Sequence, residues 1–298
     1  MAEVEGTEKR DRIGVGAASR GVLGTATDEE DFVTGRLGND RIEAGDGADW
    51  VWADRSGSLA SGRPANDVIF GEAGDDVLFG DAEILRGAVR GGRDLLDGGD
   101  GADTILGDAS VLRERARGGG DLLIGGDGGD TIFGDGRELR DQARGGADRL
   151  LGGAGDDLLA GDGLFVDPSA RPGRDVLDGG DGADRLWGGG GGDDLIGGAG
   201  ADLFVVGPAE GLTRILDFEP GADRLDLALI GLDFARLDGD GDGRIDAGDP
   251  FVTRSAGGLR IDLGAAAGGP AGEVEVLLSE IAALAPADIA AEFTLPSS

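Results

Sequence analysis

The chain has 298 residues, 63 of them glycine, with no histidine, no cysteine and no tyrosine. Lacking histidine and cysteine, it offers no Ser-His or Cys-His catalytic pair, no thiolate zinc site and no disulfide. With 60 acidic against 27 basic side chains and a formal net charge of −33, it is no partner for nucleic acid. A compact state of such a chain repels itself unless cations enter, and on composition alone a disordered polyanion fits as well as a fold does.

Residues 1–33 read as an irregular N-terminal cap. MAEVEGTEKRDRIG carries mixed charges and no apolar run, so no cleavable secretory signal is expected there. GTEKRDRI (6–13) has the shape of a single rung, Asp11 followed by Ile13, but is out of phase with the aspartates downstream. GVGAAS (14–19) lacks the third glycine of a phosphate-binding loop. No apolar run is long enough for a helix to span a bilayer, so no transmembrane helix is expected.

From residue 34 to 206 the text is periodic. Asp40, Asp49, Asp67, Asp76, Asp94, Asp103, Asp121, Asp130, Asp148, Asp157, Asp175, Asp184, Asp193 and Asp202 form a ladder in which every step is one nonapeptide or two. Two residues after each aspartate stands an apolar residue, from Ile42 and Val51 to Leu195 and Phe204, and two before it stands glycine in every case but Ala65. A glycine-rich hexapeptide lets the backbone turn at positive φ, and the three residues after the aspartate suffice for one short strand with its central side chain pointing inward. One such unit cannot bury that side chain; stacked units bury a continuous column.

The unit matches the nonapeptide GGxGxDxUx, and over residues 34–205 the chain resembles the hemolysin-type (RTX) calcium-binding proteins. The resemblance implies an all-β fold, a parallel β-roll (a β-solenoid), with multiple Ca²⁺ held between successive turns by the aspartate carboxylates and glycine carbonyls. Carried over residue by residue, the ligands are the fourteen aspartates of the ladder. Aspartate oxygen is the hard anionic donor that calcium prefers. Without calcium the chain is expected to be disordered.

The ladder skips Ser58, Leu85, Leu112, Leu139 and Val166, which stand on the nine-residue phase without an aspartate, so the full period is three nonapeptides. Each cycle is two regular nonapeptides and one altered unit, as in GDAEILRGAVRGGRDLL (80–96), with Gly87, Glu114, Asp141 or Pro168 where an inward apolar residue belongs. Either the altered units occupy half-coils on alternating edges, or each coil is a full 27-residue period with an excursion always on one edge. The second is favoured, because every regular turn then stacks on a regular turn. It places Asp49, Asp76, Asp103, Asp130, Asp157 and Asp184 in a row on one edge. The other edge then carries the arginines Arg86, Arg90, Arg113, Arg115, Arg117, Arg137, Arg140 and Arg144, read first as neutralising an acidic roll and second as a ligand-facing patch. From Asp175 to Asp202 the units run uninterrupted, which predicts a return to an 18-residue coil.

Residues 207–298 read as a β-rich C-terminal cap. DLFVV, RILDF and DRLDL resemble the segment that closes RTX rolls ahead of a type I secretion signal, and LRIDL (259–263) and EVEVLL (273–278) predict short strands covering the last coil. The tail APADIAAEFTLPSS is poor in charge and apolar toward Phe293 and Leu295. Within this region DGDGDGRIDAGD (238–249) fits an EF-hand-like calcium loop at Asp238, Asp240, Asp242, the Arg244 carbonyl, Asp246 and Asp249, with Asp249 where a bidentate glutamate is usual.

The function expected from these features is a secreted, extracellular calcium-ion-binding repeat protein that passes the type I secretion machinery unfolded and folds on meeting Ca²⁺. The alternative is a calcium-scaffolded adhesin, matrix or polysaccharide-binding protein. An RTX module tied to a polysaccharide-modifying enzyme or toxin ranks below both, and no enzymatic activity is expected of the chain itself.

Overall fold

A computed structural model describes residues 2–14, 17–18, 26–208, 211–255, 257–268 and 274–290. Among them the chain is a parallel β-solenoid with almost no helix. Three-residue strands centred on Val51, Leu78, Ile105, Ile132 and Leu159 stack in sequence order in a 10-stranded sheet, and longer strands such as Leu95–Asp100 and Leu122–Asp127 form a facing 13-stranded sheet. Pairing is in register at one coil per step, Thr104 on Thr131 and Leu96 on Leu123, so each coil is one full three-unit period. The ladder side chains Ile42 to Phe204 meet between the sheets and are fully buried in one continuous column.

The excursions are more than loops. They add a third, 5-stranded parallel sheet running through Arg55–Leu59, Ala82–Leu85, Ala109–Leu112, Glu138–Leu139 and Phe165–Val166. Leu59, Leu85, Leu112 and Leu139, with Val89, Ala116 and Ala143, bury a core of their own behind it. The residues that break the apolar phase supply the turn: Gly87, Glu114 and Asp141 take φ of 80°, 64° and 58°. Beyond it Arg90, Arg117, Arg144 and Arg171 pair through their backbones, one per coil. After Asp175 the third sheet ends and the coil shortens to two nonapeptides, Leu177 pairing with Leu195 and Leu186 with Phe204.

The expected irregular cap over residues 1–33 requires correction in its described part. Glu3–Glu5 pairs with Phe32–Thr34, which pairs with Trp50–Trp52, while Ile13 pairs with Ile42, so Val4, Ile13 and Val33 are ordinary rungs of the main column. The sequence phase is lost because the step from Asp11 to Asp40 is two residues longer than a full period. The connection absorbs the extra length without shifting the stack, since loop length costs little once the ends are fixed.

At the other end Leu225 adds one more rung, pairing with Phe204. Gly211–Ile215 then pairs with Val274–Ser279, which carries the antiparallel strands Gly258–Asp262 and Val252–Ser255. These strands are the expected cover over the last coil. Phe293 and Leu295 lie outside the described residues.

Candidate metal sites in the turns

The fourteen ladder aspartates fall into two rows, one along each edge of the solenoid. On the first edge each Asp N–H donates to the carboxylate one coil on: Asp76 to Asp103 Oδ1 (2.8 Å), Asp103 to Asp130 Oδ1 (2.8 Å) and Asp130 to Asp157 Oδ1 (2.7 Å). Asp49, Asp184 and Asp202 continue this row. The second edge repeats the pattern, Asp67 to Asp94 Oδ1 (2.8 Å), Asp94 to Asp121 Oδ1 (2.8 Å) and Asp121 to Asp148 Oδ1 (2.7 Å), with Asp40, Asp175 and Asp193 in line. One carboxylate oxygen of each aspartate is thus spent on holding the coils together.

The other oxygen is not. In all fourteen, Oδ2 is buried and receives no hydrogen bond. A buried carboxylate oxygen without a donor is costly to desolvate, and burial accordingly raises the proton affinity of these groups: Asp49 and Asp103 to about 6, Asp40 and Asp157 to about 7, Asp67, Asp76 and Asp193 to about 8. The space beside Oδ2 is kept open by glycine. A Cβ placed on Gly98 would lie 2.1 Å from Asp103 Oδ2 and 2.7 Å from the Gly125 carbonyl oxygen; at Gly125 the same two distances, to Asp130 Oδ2 and the Gly152 carbonyl, are 2.2 and 2.4 Å. A carboxylate and a carbonyl from the next coil therefore converge on each such space, an oxygen-only donor set of the kind that suits a hard cation.

A family model of the RTX calcium-binding nonapeptide repeat (4 copies) matches residues 25–56, 60–83, 90–110, 115–136, 142–163 and 170–204. The chain belongs to the RTX calcium-binding repeat family. A search of curated proteins returned no match. The RTX repeats make the chain a calcium-binding repeat protein, and the bare, buried Oδ2 atoms fit that cation.

Two features of the RTX roll escape a reading of the nonapeptide alone. Asp11, Asp31 and Asp223 also stand in the rows, donating their N–H to Asp40, Asp49 or receiving one from Asp202. Their Oδ2 atoms, however, are satisfied by the chain: Thr7 N–H and Oγ1 donate to Asp11, Thr27 N–H and Oγ1 to Asp31, and Glu219 N–H to Asp223. The second is a further set of buried aspartates, Asp54, Asp81, Asp108, Asp135 and Asp162, placed where the excursions begin. Their signal in the sequence is a Gly-Asp or Ala-Asp pair recurring once per coil.

The EF-hand-like loop is assembled in part. The carboxylate oxygens of Asp238, Asp240 and Asp242 lie within 4.8 Å of one another at the surface. A four-residue helix, Phe234–Leu237, leads into the loop, and Pro250 ends it. Arg244 follows in the loop, its N–H donating to Asp242 Oδ1 (2.9 Å), and Asp246 accepts from Gly248 N–H (2.8 Å). Asp249 does not join the trio. It is buried and closes the loop by accepting the N–H groups of Gly239 (2.6 Å) and Asp246 (2.9 Å).

Proposed function

We propose that the fourteen ladder aspartates hold calcium between the coils, that these ions drive the folding of the roll, and that the chain leaves the cell unfolded through type I secretion machinery and folds outside. The observation that carries this reading is the bare Oδ2 on all fourteen. In low calcium the carboxylates repel one another and the roll is disfavoured; in extracellular calcium each occupied site stabilises it. At tenfold excess over Kd one site contributes about 1.4 kcal/mol. Several such sites together reach the about 5–15 kcal/mol that separates a typical folded domain from its unfolded chain. Calcium can therefore decide between the two states by itself.

The test is far-UV circular dichroism. Chelator-stripped protein is expected to give a disordered spectrum that turns cooperatively to β on addition of Ca²⁺, and a spectrum indifferent to calcium would refute the switch. For the secretion step, residues 207–298 fused to a passenger should direct it into the medium of a host carrying a type I exporter and not of a host lacking it. We assign the chain a binding and not a catalytic role, because the fourteen ladder aspartates are taken up in the coil-to-coil rows. Among the described residues no helix is long and apolar enough to cross a membrane.

A second reading, binding to cell-surface or matrix polysaccharide on the calcium scaffold, is favoured by one observation. Phe32, Trp50, Trp52 and Phe79 form a row of rings near the N-terminus, with centroids 6.5, 5.8 and 5.6 Å apart, that runs from the surface into the buried cluster of Phe79, Leu106 and Phe133. Phe32 and Trp50 are exposed. The two exposed rings suit stacking against sugar rings. Glycan-array binding that Trp50→Ala removes would support it; equal binding by the variant would not.

A further inference from the structure

Asp54, Asp81, Asp108, Asp135 and Asp162 each open an excursion and are all but fully buried. In all five the carboxylate accepts the N–H of the residue that closes the same excursion: Asp54 from Ala65 (3.2 Å), Asp81 from Gly92 (3.1 Å), Asp108 from Gly119 (2.9 Å), Asp135 from Gly146 (2.7 Å) and Asp162 from Gly173 (2.6 Å). That bond ties off the excursion; Gly92 and Gly119 also reach Oδ2 of Asp81 (3.3 Å) and Asp108 (3.1 Å), and Asp162 Oδ2 accepts from Gly190 N–H (3.1 Å), which leaves Asp135 Oδ2 without a donor.

Across successive excursions Oδ2 of one aspartate faces Oδ1 of the next, and of these oxygens only Asp135 Oδ2 accepts no N–H. A Cβ on Gly91 would lie 1.7 Å from Asp108 Oδ1 and 2.6 Å from Asp81 Oδ2; on Gly118, 1.8 Å from Asp135 Oδ1 and 2.6 Å from Asp108 Oδ2; on Gly145, 2.3 Å from Asp162 Oδ1 and 2.5 Å from Asp135 Oδ2. Two carboxylates from successive coils thus converge on each glycine-cleared gap. Asp135 Oδ2 receives no hydrogen bond, and neither does Oδ2 of Asp94, Asp121 or Asp148 nearby. The charges acting most strongly on Asp108 are all of its own sign, those of Asp121, Asp81, Asp135 and Asp148. Buried like charges at this density require a shared proton or a bound cation. Oxygen donors alone, and several anionic ones per gap, select a hard divalent ion.

We propose that the gaps between Asp81 and Asp108, between Asp108 and Asp135 and between Asp135 and Asp162 are cation sites in their own right, each taking one calcium ion between successive excursions. The inference rests on the calcium reading of the turns and adds to it a second, interior column. Because each gap draws on more carboxylates than a turn on the opposite edge, the column fills at lower calcium than those turns do.

The test compares two full-length triple variants, Asp81→Asn/Asp108→Asn/Asp135→Asn and Asp76→Asn/Asp103→Asn/Asp130→Asn. Asparagine keeps an oxygen for the closing glycine N–H and removes the charge. Bound calcium is counted by equilibrium dialysis, and affinity is read by calorimetric titration of chelator-stripped protein. The first variant is expected to bind fewer ions and to lose the tightest phase, its binding weakening by ~10-fold or more. The second is expected to lose ions from the weaker phase and keep the tight one. An unchanged ion count and tight phase in the first variant would overturn the interior column and leave shared protons as the account of the pairs. A native chain that binds no calcium would instead overturn the reading of the turns. Should the first variant fail to fold at saturating calcium, Asp108→Asn alone removes one ligand from two gaps, and an ion count equal to the native one would refute the proposal.

Discussion

The two edges of the roll are built from the same turn, used whole on one side and split on the other. On the plain edge GGDGAD (98–103) runs uninterrupted, with Gly99 and Gly101 at φ of 108° and 142°. On the excursion edge the turn opens with Gly80-Asp81 and resumes with Gly91-Gly92, and the excursion is inserted between. The insertion falls in the turn and not in a strand, so the register of both main sheets is untouched. An extra residue in a strand would have turned every inward side chain outward. The 18-residue coils after Asp175 show that stacking does not need the excursion. What the excursion adds is a second small core and a second set of buried carboxylates.

The largest expected effect tests whether the two cores are unequal. Leu123 belongs to the column that runs through the whole solenoid, Leu112 to the excursion core, and both are fully buried. Leu123→Ala should cost about 4 kcal/mol and Leu112→Ala about 2–3 kcal/mol, the smaller because a short satellite core collapses more readily around a cavity. The readout is the shift in the calcium midpoint of the circular dichroism transition. Equal shifts would mean that the excursion core is as integral as the main column.

Acidification should separate the edges next. On the plain edge burial raises Asp49, Asp103 and Asp184 to about 6, Asp157 to about 7 and Asp76 to about 8. On the excursion edge Asp67 and Asp193 rise to about 8, and Asp94, Asp121 and Asp175, deeper and surrounded by other aspartates, go well above the usual carboxylate range. A raised value means that the calcium-free fold holds protons the unfolded chain has lost, so that fold weakens as pH rises from about 4 to about 8. Calcium takes the carboxylate form only, so its affinity climbs over the same window and its binding releases protons. Titrations at pH 7 in buffers of different ionisation enthalpy should show proton release, and lowering the pH should empty the excursion edge before the plain one. Pairs of Asp→Asn variants on each edge assign the released protons.

The nonapeptide makes the main column legible, because an aspartate and an apolar residue two apart report both the turn and the inward face. It also carries the length of the coil, since regular turns stack on regular turns in no other arrangement of that length. Asp81 and its equivalents stay hidden for a physical reason. Gly80-Asp81 reads as the opening of another nonapeptide, and only the fold shows that the chain departs there and returns eleven residues later to the same carboxylate. Ile13 has the shape of a rung in the sequence and is set aside there because it is out of phase, yet phase is a property of the chain and stacking a property of space. The closing role of Asp249 is hidden too, since its position in the loop matches a ligand's while its oxygens are taken by backbone N–H groups.

The loop at 238–249 offers a site outside both edges. Asp240→Asn should remove at most one bound ion and leave the circular dichroism transition unmoved, because the trio it belongs to lies at the surface, away from the rows. A shifted transition would tie the loop to the folding of the roll.

The smallest effect is expected at Asp31, where the comparison between edges becomes one between two turns of the same row. Asp31 stands in the plain-edge row like Asp49, yet its Oδ2 takes the N–H (2.7 Å) and hydroxyl (2.9 Å) of Thr27 where Asp49 Oδ2 takes nothing. In its turn Thr27 stands four residues before the aspartate, where the turn of Asp49 has Gly45, and the threonine supplies donors in place of a cation. Thr27→Val keeps the shape and removes one hydroxyl bond to a carboxylate, at a cost of about 1 kcal/mol, while Asp49→Asn removes a calcium ligand. The first should nudge the calcium midpoint with the number of bound ions unchanged, and the second should lower that number. If Thr27→Val instead raised the ion count, the Asp31 carboxylate would be a cation site that the hydroxyl merely occupies.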